Sequence, residues 1–206
     1  MNKGALIVFA KAPVVGNVKT RLIPHIGEDK ATSVYISLLE KTLDTALNSN
    51  FTDIQLWIEG DIEHEFFRNM PERDKFHYYL QSGTTLGERM YAAFECALKT
   101  YSYAVLIGSD CPGLSIADLD ETQALLQKND IVLGPAKDGG YYLIALSNNH
   151  FSLFEGIAWS QETVFAETRE RINLLNWRMG LLQERWDVDD EEGLHNYISM
   201  YKNLKL

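Results

Sequence analysis

The sequence predicts a three-layer α/β/α sandwich around a mostly parallel central sheet. Three observations predict it. Short, continuously apolar runs at 5–10, 104–107 and 131–133 lack alternation, as strands covered on both faces do. Between them lie segments whose apolar residues recur at helical spacing. The alternation of strand and helix begins with the first residues, which implies right-handed βαβ units.

Residues 5–10 are the first strand, expected near the middle of the sheet. In 28–48 the positions Val34, Tyr35, Leu38, Leu39, Leu43 and Ala46 follow a 3.6 period and predict a helix. Residues 53–58 alternate and predict a strand with one more polar face. Leu86, Met90, Ala93, Phe94 and Ala97 mark the next helix, and 115–128 another, opened by Ser115 three residues before Asp118. Residues 141–146 read as a strand, 161–176 as a helix capped at Ser160, 183–188 as a last short strand, and 191–203 as a terminal helix. No repeat or linker interrupts the 206 residues, so a single domain over 1–206 is expected.

Composition narrows the function. The chain has 19 Lys and Arg against 29 Asp and Glu, a net charge of −10, which argues against non-specific nucleic-acid binding. No apolar run approaches the roughly 20 residues that span a bilayer. The first residues lack the apolar core and cleavage site of a secretion signal. Cys96 and Cys111 form no disulfide framework. A soluble cytoplasmic protein with reduced thiols follows as the expectation. The five histidines lack metal-ligand spacing, and no nucleophile-elbow motif is present.

In open α/β sheets ligands bind beyond the C-terminal ends of the strands. Unusual sequence gathers there. Lys11-Ala-Pro-Val-Val-Gly-Asn-Val-Lys-Thr-Arg-Leu22 sets three cations in twelve residues of an acidic protein. It reads as a phosphate-wrapping loop or a solvated basic loop, and it fits neither a Walker A nor a Rossmann pattern. In Ile107-Gly-Ser-Asp-Cys-Pro-Gly-Leu114 a buried strand ends in Asp110, which suits either a hard cation such as Mg²⁺ or a turn cap. Gly134-Pro-Ala-Lys-Asp-Gly-Gly-Tyr-Tyr-Leu-Ile144 reads as a hairpin whose tip, with Asp138, Gly139 and Gly140, faces a ligand. In Trp186-Asp-Val-Asp-Asp-Glu-Glu192, Asp187 and Asp189 fall on one side of an extended segment. They complete a metal site with Asp110, or the run is a helix start. Gly83-Thr-Thr-Leu-Gly-Glu-Arg-Met90 opens a helix with Thr85 as N-cap and Glu88 closing a capping box, or serves a nucleotide with Arg89 as a further cation. Trp159 is placed either in the core or on an acceptor pocket.

Taken in order, four of these motifs resemble a family of small bacterial glycosyltransferase-like proteins, named partly after arsenosugar biosynthesis glycosyltransferases. They are Phe9 to Leu22, Leu86-Gly-Glu-Arg-Met90, Ile107 to Leu114 and Gly134 to Ile144. That family is similar in turn to the nucleotide-diphospho-sugar transferases of the GT-A fold, which include guanylyltransferases. The resemblance implies a nucleotide-phosphate loop of Lys11, Gly16, Lys19 and Arg21, with Gly87 and Arg89 also on the nucleotide. It implies a metal-binding Asp110 and distal acids at Asp187 and Asp189, holding Mg²⁺ or Mn²⁺. Ser109-Asp110-Cys111 offers one acid where glycosyltransferases of this fold often show Asp-x-Asp.

The expected activity is metal-dependent transfer from a nucleotide-activated substrate. In the first reading, a nucleotide-sugar gives its sugar to a small-molecule acceptor, with Asp138 as base or sugar-hydroxyl partner. The alternative is nucleotidyl transfer from a nucleoside triphosphate, and a third reading is a non-catalytic nucleotide-sugar binder. Two geometric expectations accompany these readings. At least one of Asp187 and Asp189 approaches Asp110, and crowding without metal raises the pKa of one carboxylate.

Overall fold

The computed structural model describes residues 3–200. The strands are β1 (Gly4–Lys11), β2 (Asp53–Glu59), β3 (His77–Leu80), β4 (Tyr103–Ile107), β5 (Ile131–Pro135), β6 (Tyr141–Leu146) and β7 (Met179–Leu181). The helices are α1 (Ile23–Ile26), α2 (Glu28–Leu47), α3 (Glu65–Asn69), α4 (Leu86–Ala97), α5 (Ile116–Leu126), α6 (Val164–Leu174) and α7 (Glu191–Met200). The predicted end of the terminal helix, 201–203, lies outside the described residues.

The strands form one sheet in the order β3-β2-β1-β4-β6-β5-β7. β1, β2, β3 and β4 pair parallel, and β6 runs antiparallel to both its neighbours β4 and β5, while β7 pairs parallel with β5. The sheet is thus mostly parallel, as predicted, with β6 reversed inside it.

The alternation of side chains along β1 explains the three layers. Leu6 and Val8 point to one face and pack in a cluster with Leu39 and Leu43 of α2. Ile7 and Phe9 point to the other and pack with Met90 and Phe94 of α4. Every residue of β1 from Gly4 to Ala10 is buried, which accounts for its uninterrupted apolar sequence. Among the described residues no helix is long and apolar enough to cross a membrane.

The structure corrects three expectations. β2 has no polar face, because Gln55 is 3% exposed. Its amide donates to Asp53 (2.8 Å) and accepts the Trp57 indole N–H (3.1 Å), so its polarity is satisfied within the strand. The last strand is β7, upstream of 183–188. β5 ends at Pro135 with a register shift, and beyond it the extended segment makes one bridge, Ala136 with Arg185. That segment leaves the ladder and crosses the rim, where the Val188 N–H reaches the Asp110 carbonyl at 3.2 Å. Finally, Ser160 caps no helix. It has φ 66°, and α6 begins at Val164. Glu167 holds the preceding turn instead, accepting from the Thr163 hydroxyl (2.7 Å) and the Ala158 N–H (2.9 Å).

Ser115 and Thr85 are N-caps as read, but only the first closes a capping box. Ser115 and Asp118 make a reciprocal capping box on α5. Thr85 accepts the Glu88 N–H on α4, while the Glu88 carboxylate reaches one residue further back, to the Thr84 N–H and hydroxyl.

Candidate functional site

The C-terminal ends of the parallel strands, the β5–β6 hairpin tip and the segment crossing from β7 enclose a cleft of about 570 Å³. Cations stand on one side. The loop after β1 is anchored by the buried Tyr35, whose hydroxyl accepts the Lys11 N–H (2.7 Å), donates to the Lys11 carbonyl (3.1 Å) and lies 3.4 Å from the Ser109 hydroxyl. Burial pushes this phenol above its ordinary pKa, so it stays a neutral hydrogen-bonding post.

The loop then turns inward at Lys19, a non-glycine residue at φ 47°. Its ammonium sits 2.7 Å from Asp189 Oδ1 and 3.2 Å from Asp110 Oδ2, with only 5% of the side chain exposed. Burial acts to lower the pKa of Lys19, and the charges and hydrogen bonds of Asp110 and Asp189 outweigh it, so the net shift is upward. Arg21, largely exposed, lies 3.7 Å from Asp189 Oδ2. At the β2 side, Lys11 (3.1 Å) and Arg89 (2.8 Å) share the Glu59 carboxylate. Burial alone would raise the pKa of Glu59, and hydrogen bonds from Arg89 and Lys11 reverse that.

Acids face these cations. Asp138, Asp187 and Asp189 each offer an oxygen, and the three oxygens lie within 4.8 Å of one another. Asp110 joins them through the shared ammonium of Lys19. The loop, Asp110 and the distal acids therefore occupy one rim. Asp187 is pushed up to about 7, by burial first and then by the charges of Asp110, Asp138 and Asp189. Crowded, part-buried oxygens of this kind suit a hard divalent cation, which takes oxygen ligands and neutralises the repulsion.

The predicted residues divide by role. Lys11, Lys19, Arg21 and Arg89 line the cleft, as do Asp110, Asp138, Asp187 and Asp189, and Gly140 lies at its edge. Gly16, Gly87 and Gly139 are absent from its wall. A Cβ on Gly87 would come within 2.7 Å of the Phe154 carbonyl and the Trp159 ring, so this glycine seats Trp159 against α4. Trp159 packs on the core, as one of its two readings has it, and also lines the cleft.

Sequence reasoning missed Tyr35, Glu59 and Gln81. Tyr35 carried only a core signal. Glu59 ends a strand whose following loop has ordinary composition. Gln81 donates to the carbonyls of Ala10 (3.2 Å) and Trp57 (3.0 Å), tying the ends of β1 and β2, and a lone Gln carries no motif.

The family described as "Uncharacterized protein conserved in bacteria (DUF2064)" matches over residues 42–161. A protein of Desulfovibrio desulfuricans G20 named as a candidate nucleotide-diphospho-sugar transferase is similar at 30% identity. The match covers 100% of this chain and 90% of that one, with a TM-score of 0.86. The 4-diphosphocytidyl-2C-methyl-D-erythritol synthase of Anaerococcus prevotii DSM 20548 shares the fold at 12% identity and a TM-score of 0.67, over 98% and 99% of the two chains. A manganese complex of Rv0371C from Mycobacterium tuberculosis H37Rv shares it at 15% identity and a TM-score of 0.62, over 96% and 98%. No curated protein matches this sequence.

Proposed function

We propose that this chain, which belongs to the family of uncharacterized proteins conserved in bacteria (DUF2064), is a metal-dependent transferase acting on a nucleotide-activated substrate. The reaction we favour is glycosyl transfer from a nucleoside-diphosphate sugar to a small acceptor. One observation carries this reading. Loop cations and four carboxylates face each other across a single cleft at the strand ends, the place where this class of sheet binds ligands. The 30% identity to a protein named for nucleotide-diphospho-sugar transfer supports the choice of donor.

Lys19, Arg21 and Lys11 are assigned to the diphosphate, as charge-assisted donors to its oxygens. Asp110, Asp187 and Asp189 are assigned to Mg²⁺ or Mn²⁺, and the mutual approach of the Asp138, Asp187 and Asp189 oxygens within 4.8 Å supports a cation there. The manganese bound by the Mycobacterium tuberculosis protein of the same fold makes such an ion a reasonable expectation. When bound, the ion supplies positive charge where the leaving diphosphate becomes more negative. Trp159 and Tyr141 also line the cleft and are assigned to the acceptor, which could stack on them. Asp138, on the hairpin tip, is assigned as the carboxylate that would take the acceptor's proton or accept a hydrogen bond from a sugar hydroxyl.

The second reading, nucleotidyl transfer, is favoured by the lone acid in Ser109-Asp110-Cys111 and by three loop cations sufficient for a triphosphate. Incubation with Mg²⁺ and a nucleotide panel separates the two. Slow hydrolysis of one sugar nucleotide supports glycosyl transfer, and pyrophosphate release from a triphosphate and a phosphorylated acceptor supports the alternative. Asp110→Asn is expected to abolish either reaction, and a variant that keeps metal-dependent turnover would remove Asp110 from the metal site.

A further inference from the structure

With its ammonium, Lys19 bridges Asp110 and Asp189, two of the carboxylates assigned to the ion. Its ammonium is within hydrogen-bond distance of both carboxylates, and its side chain is almost entirely enclosed. The two are held by an organic cation from a loop some ninety residues before Asp110 in the chain (|i−j| = 91). The backbone supports this inward pose with the left-handed conformation at φ 47°, which non-glycine residues adopt reluctantly. An ion entering alone would meet the ammonium on one of its own ligands, and like charges at that distance in a part-buried site repel strongly.

We infer that Lys19 bars free metal from Asp110 and Asp189, so that the divalent ion enters together with the nucleotide phosphates and not ahead of them. The inference rests on the cleft being a metal–nucleotide site. To release Asp110 and Asp189, the ammonium needs another anion. The phosphates of the incoming nucleotide provide one, and Arg21, beside Asp189 and open to solvent, meets the same phosphates. In one exchange of partners the ammonium would move from carboxylate to phosphate, leaving Asp110 and Asp189 free to hold the ion. The ligand of the site is the metal–nucleotide chelate. Metal and nucleotide affinities are then coupled, each strengthening the other by the same factor.

Titration of the full chain with Mn²⁺, followed by the electron-spin signal of free Mn²⁺, tests this with and without UDP, GDP or CDP. Wild-type protein is expected to bind Mn²⁺ weakly alone. A nucleoside diphosphate should tighten it more than about tenfold beyond the complex formed in solution, which corresponds to a coupling of about 1.4 kcal/mol. Lys19→Met, which keeps length and removes charge, should bind Mn²⁺ alone at least about tenfold tighter than wild type, with a smaller gain from nucleotide. Mn²⁺ should also raise the melting temperature of Lys19→Met more than that of wild type, and should restore its fold if the variant is unfolded without metal. Equal or weaker Mn²⁺ binding by Lys19→Met overturns the inference. So does a wild-type Mn²⁺ affinity that nucleotide leaves unchanged, a measurement that needs no variant. Wild-type protein that binds both ligands independently defeats the inference alone, whereas protein that binds neither defeats the functional reading with it.

Discussion

Asp118 and Asp110 each meet a cation from far along the chain, and the two pairs are built differently. Asp118 has 4% of its side chain exposed. Its oxygens accept from the Ser115 N–H (2.8 Å), the Ser115 hydroxyl (2.7 Å) and Arg185 Nη2 (2.8 and 3.1 Å). One cation and a helix cap close the set around the acid, and only Arg185 Nε, buried, is left without a hydrogen-bond partner in it. Around Lys19, four carboxylates gather near a single enclosed ammonium, and the two it touches are 39% and 35% exposed. Saturation marks the pair that holds the fold together. A surplus of one sign, open to water, marks the pair poised to take something up. The first also serves the second, because Arg185 fastens to α5 the extended segment that carries Asp187 and Asp189 to the rim.

Breaking the closed set should cost most. Arg185→Met leaves Asp118 buried without its counter-charge, and a loss of about 3–5 kcal/mol is expected on urea unfolding. A loss below about 1 kcal/mol, the range of exposed pairs, would mean that Asp118 finds water and that the contrast drawn above is false.

The open set should answer in binding more than in folding. Lys19→Ala and Arg21→Ala should each weaken nucleoside-diphosphate binding by about 1.5–3 kcal/mol in calorimetric titration, as expected for a charge-assisted phosphate contact. For Lys19→Ala the loss of folding stability should be the smaller effect, since the acids left behind reach solvent. An unchanged titration in either variant would remove that residue from the phosphate site.

The last test sharpens the comparison through pH. Asp187 titrates at about 7 in the fold, against an ordinary value of 3.8. The folded state thus binds this proton more tightly than the unfolded chain, and ionisation of Asp187 opposes folding. Without metal, its contribution to stability should decline as pH rises from about 4 to about 7 and level off above. Asp187→Asn should flatten that decline and raise the melting temperature at pH 8 by a few degrees, with little change at pH 4. An Asn variant with the wild-type slope would place the titration elsewhere.

Much of this was legible in the residues themselves. β1 and its loop announce themselves because a strand buried on both faces must be continuously apolar, and a run of cations directly after it has no packing purpose. β6 falls where its sequence puts it, and the caps at Ser115 and Thr85 are local chemistry readable from four residues. What escaped depends on neighbours distant in sequence. Residues 183–188 look like a strand, but a ladder needs a partner, and β5 stops at Pro135. Gln55 looks like a solvent-facing residue until Asp53 and Trp57 satisfy it. Glu59 and Gln81 matter because the sheet order brings the ends of β1, β2 and β3 side by side, and Tyr35 because α2 brings its hydroxyl to the ends of β1 and β4. Asp138 reads as a base or a sugar-hydroxyl partner at a hairpin tip, and its nearness to Asp187 and Asp189 emerges only in the folded chain.

Gly139 carries one more consequence. At φ 86° it presses against the backbone of Glu162, so closely that a Cβ there would overlap the Glu162 carbonyl, and its own carbonyl accepts the Phe165 N–H at 2.8 Å. The hairpin tip bearing Asp138 and the start of the helix behind Trp159 are therefore clipped into one rigid cassette. Anyone redesigning this end of the cleft could not graft a new loop at 158–163 alone, because the contact with Gly139 ties it to the tip that carries Asp138. A transplant would have to move 136–165 as a block, with Gly139 retained as the clip.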